Sequence, residues 1–329
     1  MLTEEGVGGR AFLRLPIPCY TPRKGATMKR KFYTLDVFTD TPLEGNPLAV
    51  VMECEGLSEQ RMQAIAREFA VSETVFVLEP HDPVNTARLR IFTPSRELPF
   101  AGHPTIGAAV LIAQLRAADM MAREEVGLML EEQVGVISCT ARQMRGKAAQ
   151  ARFDLPQLPH HISDARDAAG IAAALGLHAS DIGFDDHRPS MWSAGNPFTF
   201  VPIASLEAIQ QAKPNAALFA SAFEGTRPAA YLYTKDVMRE GSHVHARMFA
   251  PGLGISEDPA TGSAAAAFAG VATFFERPDD GEHLITIEQG FEMHRPSLIH
   301  LRMNVEGGAL SAASIGGSAV QVAEGVLNA

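Results

Sequence analysis

The stretch that decides the fold runs from Arg247 to Ala269 and reads RMFAPGLGISEDPATGSAAAAFA. A loop rich in Gly and Pro ends at Asp258-Pro259 and opens into a run of small residues near Ser263. This pattern is typical of a helix N-terminus, where backbone amides without intrahelical acceptors attract anions. An ordinarily capped helix without a ligand is the alternative, and this stretch alone favours that alternative.

The same pattern occurs in the first half of the chain. Three segments recur in the same order: HPTIGAA from His103 matches DPATGSA from Asp258, RIFTP from Arg90 matches RMFAP from Arg247, and GNPLAVV from Gly45 matches GNPFTFV from Gly195. Ordered matches at a spacing of roughly 150 residues indicate an internal duplication rather than chance. The sequence therefore predicts two related halves and a pseudo-twofold axis.

Each half consists of short strand-like segments around one small, apolar helix. This arrangement predicts the α+β class, with two pseudo-symmetric lobes that each wrap a curved, mostly antiparallel sheet around a central helix. We expect the first lobe to span residues 28–147 and the second to span residues 148–329, with the C-terminal tail packing back on the first. Residues 1–27 precede a natural-looking start at Met28, and we expect them to be either a disordered extension or the product of an upstream start.

The composition excludes several classes of partner. The chain of 329 residues is 46% hydrophobic and carries a formal net charge of -10, which opposes binding to nucleic acid or to an anionic membrane. No apolar run reaches the ~18 residues that a membrane span requires. The three cysteines lack the spacing of metal ligands, which predicts a cytoplasmic protein without a metal.

Three residues are candidates for acid-base chemistry. Glu73 stands at the start of a predicted strand, where alternation turns one of the first polar residues inwards, although a solvated strand-end glutamate fits equally well. His103 and Asp258 each stand at a predicted helix N-terminus, where a turn residue or a cap is the common role. If the duplication makes them equivalent across one cleft, all three side chains can move protons around a bound carboxylate.

Four spans carry a family resemblance. Tyr33–Val51, Ser72–Val77, Arg90–Ala108 and Met248–Ala267 resemble the PhzF family of phenazine-biosynthesis-like isomerases. The resemblance implies a fold like that of diaminopimelate epimerase, with the active site between the lobes. It also implies a homodimer, and an isomerase that acts without a cofactor on a small carboxylate such as trans-2,3-dihydro-3-hydroxyanthranilate.

The resemblance also implies roles for single residues. Glu73 would carry the proton, while His103, Asp258 and Ser263 would orient the polar groups of the substrate. Backbone N–H groups around Gly102, Gly262 and Ser263 would act as donors. The remaining candidate substrate-binding residues are Thr261, Gln289, Gly290, Asn46 and Asn196, the two asparagines being explained equally well as turn residues.

The sequence departs from two family patterns, and the second departure limits the functional alternatives. His294 stands where the family usually has Gly. The helix N-termini carry His103 and Asp258 where a diaminopimelate epimerase has cysteines, which disfavours a thiol-dependent racemase. A PhzF-type isomerase is the leading hypothesis, and an amino-acid epimerase or a binding protein without chemistry remain as alternatives.

Overall fold

The computed structural model describes residues 29–164, 167–223 and 228–329. It divides into two compact units, one formed by residues up to Asp154 together with Gly316–Ala329, and one formed by Leu155–Ile315. The expected extension at residues 1–27 lies outside the described residues. In the described part, no helix is both long enough and apolar enough to cross a membrane.

The first unit begins with eight strands and two helices. They are β1 (Lys29–Val37), β2 (Asn46–Val51), α1 (Glu59–Phe69), β3 (Glu73–Leu78), β4 (Ala87–Phe92), β5 (Glu97–Leu98), α2 (Gly102–Met121), β6 (Val126–Glu132), β7 (Gly135–Gln143) and β8 (Ala149–Asp154).

The second unit follows, and the last strand returns to the first. The elements are β9 (His160–Asp164), α3 (Ala168–Leu175), β10 (Ser190–Ser193), β11 (Pro197–Pro202), α4 (Leu206–Gln211), α5 (Ala216–Ala222), β12 (Ala230–Thr234), β13 (Val244–Ala250), β14 (Ile255–Asp258), α6 (Gly262–Glu276), β15 (Gly281–Gln289), β16 (Ser297–Glu306) and β17 (Ala309–Asn328). Short 3-10 turns lie at Ala179–Asp181 and Pro251–Leu253.

Strands of the first unit close into a barrel. The order is β17, β1, β2, β3, β4, β6, β7 and β8, which pairs with β17 again. β2 pairs with β3 and β4 pairs with β6 in parallel, because α1 and α2 provide the crossovers between them. Closure leaves none of these eight strands with an unpaired edge.

The core of the first unit lies around α2. This helix packs against β1, β2, β3, β6, β7 and β8, and its first twelve residues, Gly102–Ala113, are all buried. A Cβ atom at Gly107 would collide with the side chains of Leu48 and Val37. Small residues therefore let the helix run inside the barrel, in contact with the strands.

The second unit repeats the order of pairings. β10 and β11 are antiparallel, β11 and β12 parallel, β12 and β13 antiparallel, β13 and β15 parallel, and β15 and β16 antiparallel. The Ala-rich helix α6 packs against β9, β10, β11 and β16. A Cβ atom at Gly270 would lie 2.6 Å from the ring of Trp192, so this helix also needs a small residue where it meets a strand.

The observed architecture confirms the predicted α+β class, with mostly antiparallel strands around one buried helix in each unit. The expected division after residue 147 falls between β7 and β8. The pairing of these two strands runs from Cys139 opposite Phe153 to Gln143 opposite Ala149. The structure therefore divides the chain after Asp154 instead. The part of β17 from Gly316 onwards belongs to the first unit, where it pairs with β1.

Candidate active site

The first cluster of predicted site residues lies at the N-terminus of α2. Ala101 is the extended N-cap residue and provides no side-chain cap, so the amides of Gly102 and His103 begin the helix without a capping oxygen. First-turn amides have no intrahelical acceptor, and the positive end of the helix dipole adds to their attraction for anions. Gly102 and His103 are both buried.

Glu73 and His103 are in contact. Glu73 is the first residue of β3, aligned with Leu48 of the parallel strand β2, and this register places its side chain against α2. Its Oε2 lies 3.3 Å from Nε2 of His103, and the two side chains are 14% and 6% exposed. Burial lowers the pKa of His103 to about 3, so a neutral imidazole lies beside the carboxyl group.

The second cluster lies at the N-terminus of α6. Asp258 ends β14, and its Oδ2 accepts a hydrogen bond of 2.5 Å from Thr261 Oγ1. Gln289 donates from Nε2 to Asp258 O and to Thr261 Oγ1, and its Oε1 accepts from the Thr261 amide. The Gln289 amide therefore holds the loop that positions Asp258 and the start of α6 at Gly262.

The other predicted residues differ in their surroundings. Ser263 is the second residue of α6 and is partly exposed. Gly290 has a φ of +80°, and a Cβ atom there would lie 2.5 Å from the carbonyl oxygens of Pro259 and Arg295, so it allows the chain to pack against the Asp258 loop. Asn46 is fully buried in β2, whereas Asn196 is exposed. His294 has a positive φ of 55°, at the position where the sequence departs from the family pattern.

The predicted equivalence of His103 and Asp258 is wrong. Leu98 pairs with Ile91 in the first unit, and Asp258 pairs with Met248 in the second. Leu98 is therefore the counterpart of Asp258. Both core helices start at a glycine, Gly102 and Gly262, so the counterpart of His103 is Ser263. The overlay of HPTIGAA on DPATGSA instead pairs Gly107 with Gly262, and it is therefore shifted by five residues relative to the two helix starts.

Sequence reasoning missed two buried groups. Glu132 ends β6 beside the first turn of α2, and burial raises its pKa to about 8. The match of Leu130-Glu131-Glu132 with Ile287-Glu288-Gln289 would have indicated it. Tyr231 has a fully buried hydroxyl group without a hydrogen-bond partner in the described residues, and burial together with the nearby Asp258 raises its pKa, so it remains a donor. Its place in an apolar strand gave no signal.

Side chains suited to metal binding are not clustered here. Within residues 29–164, 167–223 and 228–329, no group of three or more His, Cys, Asp or Glu side chains is arranged to hold a metal ion. What the first cluster offers is a carboxyl group and a neutral imidazole in a mostly dry environment. Such a pair suits transfer of a proton to and from a carbon atom next to a helix end that attracts anions.

The profile of the family described as phenazine biosynthesis-like protein (PhzC-PhzF) matches residues 35–325. The chain belongs to this family. An uncharacterized isomerase of Mesorhizobium japonicum is 46% identical over 303 residues, which cover 91% of this chain and 98% of that protein. The trans-2,3-dihydro-3-hydroxyanthranilate isomerase of Pseudomonas aeruginosa is 33% identical over 302 residues, 90% of this chain and 98% of that protein.

A solved structure agrees with the fold. The crystal structure of a PhzF-family protein of Bacillus anthracis superposes with a TM-score of 0.80 at 28% identity, covering 91% of this chain and 99% of that one. The predicted family is therefore confirmed, and so is the prediction of an isomerase at the level of reaction class.

Proposed function

We propose that the chain is a cofactor-independent isomerase that moves a proton within a small cyclic or unsaturated carboxylate, such as trans-2,3-dihydro-3-hydroxyanthranilate. The observation that carries this proposal is the contact of Glu73 with the neutral imidazole of His103 at the N-terminus of α2. The Pseudomonas aeruginosa relative with a name for that substrate supports the choice of compound.

The proposed reaction needs one group that both accepts and returns a proton. The Glu73 carboxylate takes a proton from a substrate carbon and becomes a carboxylic acid, while the electron pair of the broken C–H bond delocalises into the adjacent double bond. Glu73 then gives a proton, after exchange of its acidic hydrogen with water, to a different carbon atom at the other end of the shifted double bond. No net proton is gained or lost, so no second reactant is required.

His103 and the helix ends are proposed to hold the substrate. Because its pKa is about 3, His103 stays neutral at physiological pH and donates or accepts hydrogen bonds without adding a charge. The first-turn amides of α2 attract the substrate carboxylate. As the family resemblance implies, Asp258 and Ser263 at the start of α6 orient further polar groups of the substrate, and Thr261 and Gln289 fix Asp258 in place.

The test replaces Glu73 with Gln, which keeps the shape of the side chain and removes the proton acceptor. Turnover of trans-2,3-dihydro-3-hydroxyanthranilate should fall by about 10²–10⁴-fold, the usual contribution of a general base. Glu124→Gln is the matched control, because Glu124 is exposed and the charge change is the same. Both variants should unfold at the same temperature as the unmodified protein within a few degrees.

Isotope exchange separates this proposal from its alternatives. In deuterated water, the isomerase should give a product with a shifted double bond, and deuterium should enter only at the carbon that receives the proton. An epimerase would instead incorporate deuterium at an α-carbon of an amino acid with loss of optical purity, and a binding protein would exchange nothing. Full turnover in Glu73→Gln would contradict the proposed role of Glu73.

Three further properties belong to the same proposal. The matching order of strand pairings in the two units supports an origin by internal duplication. We also propose a cytoplasmic homodimer, which light scattering of the purified protein tests by its mass. A mass equal to that of a single 35.3 kDa chain would contradict the dimer.

A further inference from the structure

Glu132 holds an unusual position beside the proposed site. It ends β6, is 8% exposed, and its Oε1 lies 2.7 Å from Oγ1 of Thr105 in the first turn of α2. The same Thr105 Oγ1 lies 2.8 Å from the carbonyl oxygen of Ala101. The other carboxyl oxygen, Oε2, has no hydrogen-bond partner in the described residues. Glu132 thus contacts the turn that carries His103.

Counting protons at Thr105 assigns the state of Glu132. A threonine hydroxyl has one hydrogen atom, and here it faces two oxygen atoms at hydrogen-bond distance. The carbonyl group of Ala101 has no proton to give. Both contacts are full two-centre hydrogen bonds only if Glu132 is a carboxylic acid that donates to Oγ1 while Thr105 donates to Ala101. An ionised carboxylate would leave one of the two oxygen atoms facing a lone pair.

The second unit has a neutral donor in the equivalent position. Glu131 pairs with Arg88 of β4, and Glu288 pairs with His245 of β13, so the next residues along the two strands, Glu132 and Gln289, occupy the same place in the fold. Gln289 donates from Nε2 to Oγ1 of Thr261, which in turn donates to Asp258. A protonated glutamate has the same shape as glutamine and offers the same donor.

The surroundings of Glu132 favour its neutral form. α2 presents the Thr105 hydroxyl to it, and the ionisable group that faces it from β7 is the Cys139 thiol, whose own pKa is raised by burial, by Glu132 and by Asp154 of β8. In the described residues, no Lys, Arg or His forms an ion pair with Glu132. Burial raises its pKa from 4.5 to about 8, so it stays protonated at neutral pH.

We propose that Glu132 is a positioning residue, a carboxylic acid that fixes the first turn of α2 through Thr105 and thereby keeps His103 against Glu73. Its value for catalysis rests on the proposed function, whereas the hydrogen bond itself does not. The experiments below need no substrate, so failure of the proposed reaction and failure of this proposal are told apart.

The first experiment compares Glu132→Gln, Glu132→Ala and the surface control Glu124→Gln by unfolding at pH 5 to 9. The folded protein keeps the Glu132 proton above pH 4.5, where the unfolded chain releases it, so the unmodified protein should lose stability as the pH rises towards 8. Glu132→Gln should lack this loss, and its melting temperature should exceed that of the unmodified protein increasingly above pH 6. Glu124→Gln should follow the unmodified protein at every pH, and Glu132→Ala should be less stable than Glu132→Gln at every pH.

The second experiment measures His103 directly. In ¹⁵N-labelled full-length protein, the ring signals of His103, assigned with a His103→Gln variant, should move between pH 7 and 9.5 as Glu132 ionises. They should stay constant in Glu132→Gln. The proposal is overturned if Glu132→Gln is as unstable as Glu132→Ala at pH 6, if its stability keeps the pH dependence of the unmodified protein, or if the His103 signals respond equally in both proteins.

Discussion

The segment β4–β5–α2 of the first unit and the segment β13–β14–α6 of the second have the same framework. In each, an arginine in the long strand forms a two-pronged ion pair with a glutamate in the short strand: Arg90 with Glu97, and Arg247 with Glu257. These pairs fix the short strand next to the long one, directly before the helix begins. The framework residues therefore match between the units at the level of single hydrogen bonds.

A second shared feature lies at the end of the strand that follows each helix. The carboxylate of Glu131 accepts hydrogen bonds from the amides of His81 and Asp82, and Glu288 accepts from the amides of Met238 and Arg239. Glu131 thus holds the loop between β3 and β4, and Glu288 holds the loop between β12 and β13. Both loops are fixed in the same way, although their sequences differ.

The chemical groups differ where the framework agrees. His103 of the first unit corresponds to Ser263 of the second, and Asp258 of the second corresponds to Leu98 of the first. Thr74 pairs with Ala49 as Ala230 pairs with Thr199, so the residues directly before them, Glu73 and Ala229, are counterparts. The proposed proton-transfer pair of Glu73 and His103 therefore occurs in one unit only, which fits a single proton carrier better than two opposed bases.

The first prediction concerns the arginine–glutamate ion pair that the two units share, and it removes the arginine in each unit. Arg247 is 7% exposed and also donates to the carbonyl oxygens of Ile209, Gln210 and Ala212, so Arg247→Met leaves several buried acceptors unpaired and should cost about 3–5 kcal/mol of unfolding free energy. Arg90 is 23% exposed, and Arg90→Met should cost about 1–2 kcal/mol. Urea unfolding measures both values, and equal losses would show that burial does not distinguish the pairs.

Much of the framework could be predicted from the sequence because it depends on local pattern. The Ala-rich runs from Gly102 and Gly262 predicted buried helices, and the ordered repeats predicted two units of similar construction. Glu73 and His103 were predicted separately, and the structure brings them together. Whether they act in catalysis stays a prediction.

The rest depends on register and burial, which a single sequence does not contain. The overlay of His103 on Asp258 failed because it matched Gly107 with Gly262, and only the strand pairing and the helix starts reveal the correct alignment. Asn46 and Asn196 match in sequence, yet one is buried and the other exposed. Glu132 is buried because α2 covers the end of β6, and nothing in its neighbourhood along the chain indicates this contact.

The second prediction places the side chain of Glu132 at the equivalent position in the second unit, which Gln289 occupies. Gln289→Glu introduces a carboxylate where Nε2 donates to Asp258 O and Thr261 Oγ1. At pH 8 we expect a loss of about 2–3 kcal/mol, because a donor becomes an acceptor in a buried site. Part of this loss should be recovered at pH 5, where the new acid is protonated more often.

Gln60→Glu is the matched control for that exchange, because Gln60 is exposed on α1 and the charge change is identical. It should shift the unfolding free energy by less than about 0.5 kcal/mol at either pH. If Gln289→Glu behaves like this control, the two strand ends do not need a neutral donor, and the similarity between Glu132 and Gln289 has no energetic meaning.

The third prediction concerns the pH dependence of stability that His103 causes, since this residue has no ionisable counterpart in the second unit. Its pKa is about 3 in the folded protein and 6.5 when unperturbed, so below pH 6.5 the unfolded chain binds a proton that the folded protein does not. Stability is therefore lost as the pH falls, by about 1.4 kcal/mol at pH 5.5 relative to neutral pH.

In His103→Gln this part of the acid sensitivity should disappear, whereas the exposed control His178→Gln should retain it. The pKa values of the buried His187 and the partly exposed His300 are also lowered, and both residues contribute equally to all three proteins, so the difference in slope isolates His103. An unchanged slope in His103→Gln would mean that the imidazole takes up its proton in the folded state, and the neutral hydrogen-bonding role proposed for it would then be wrong.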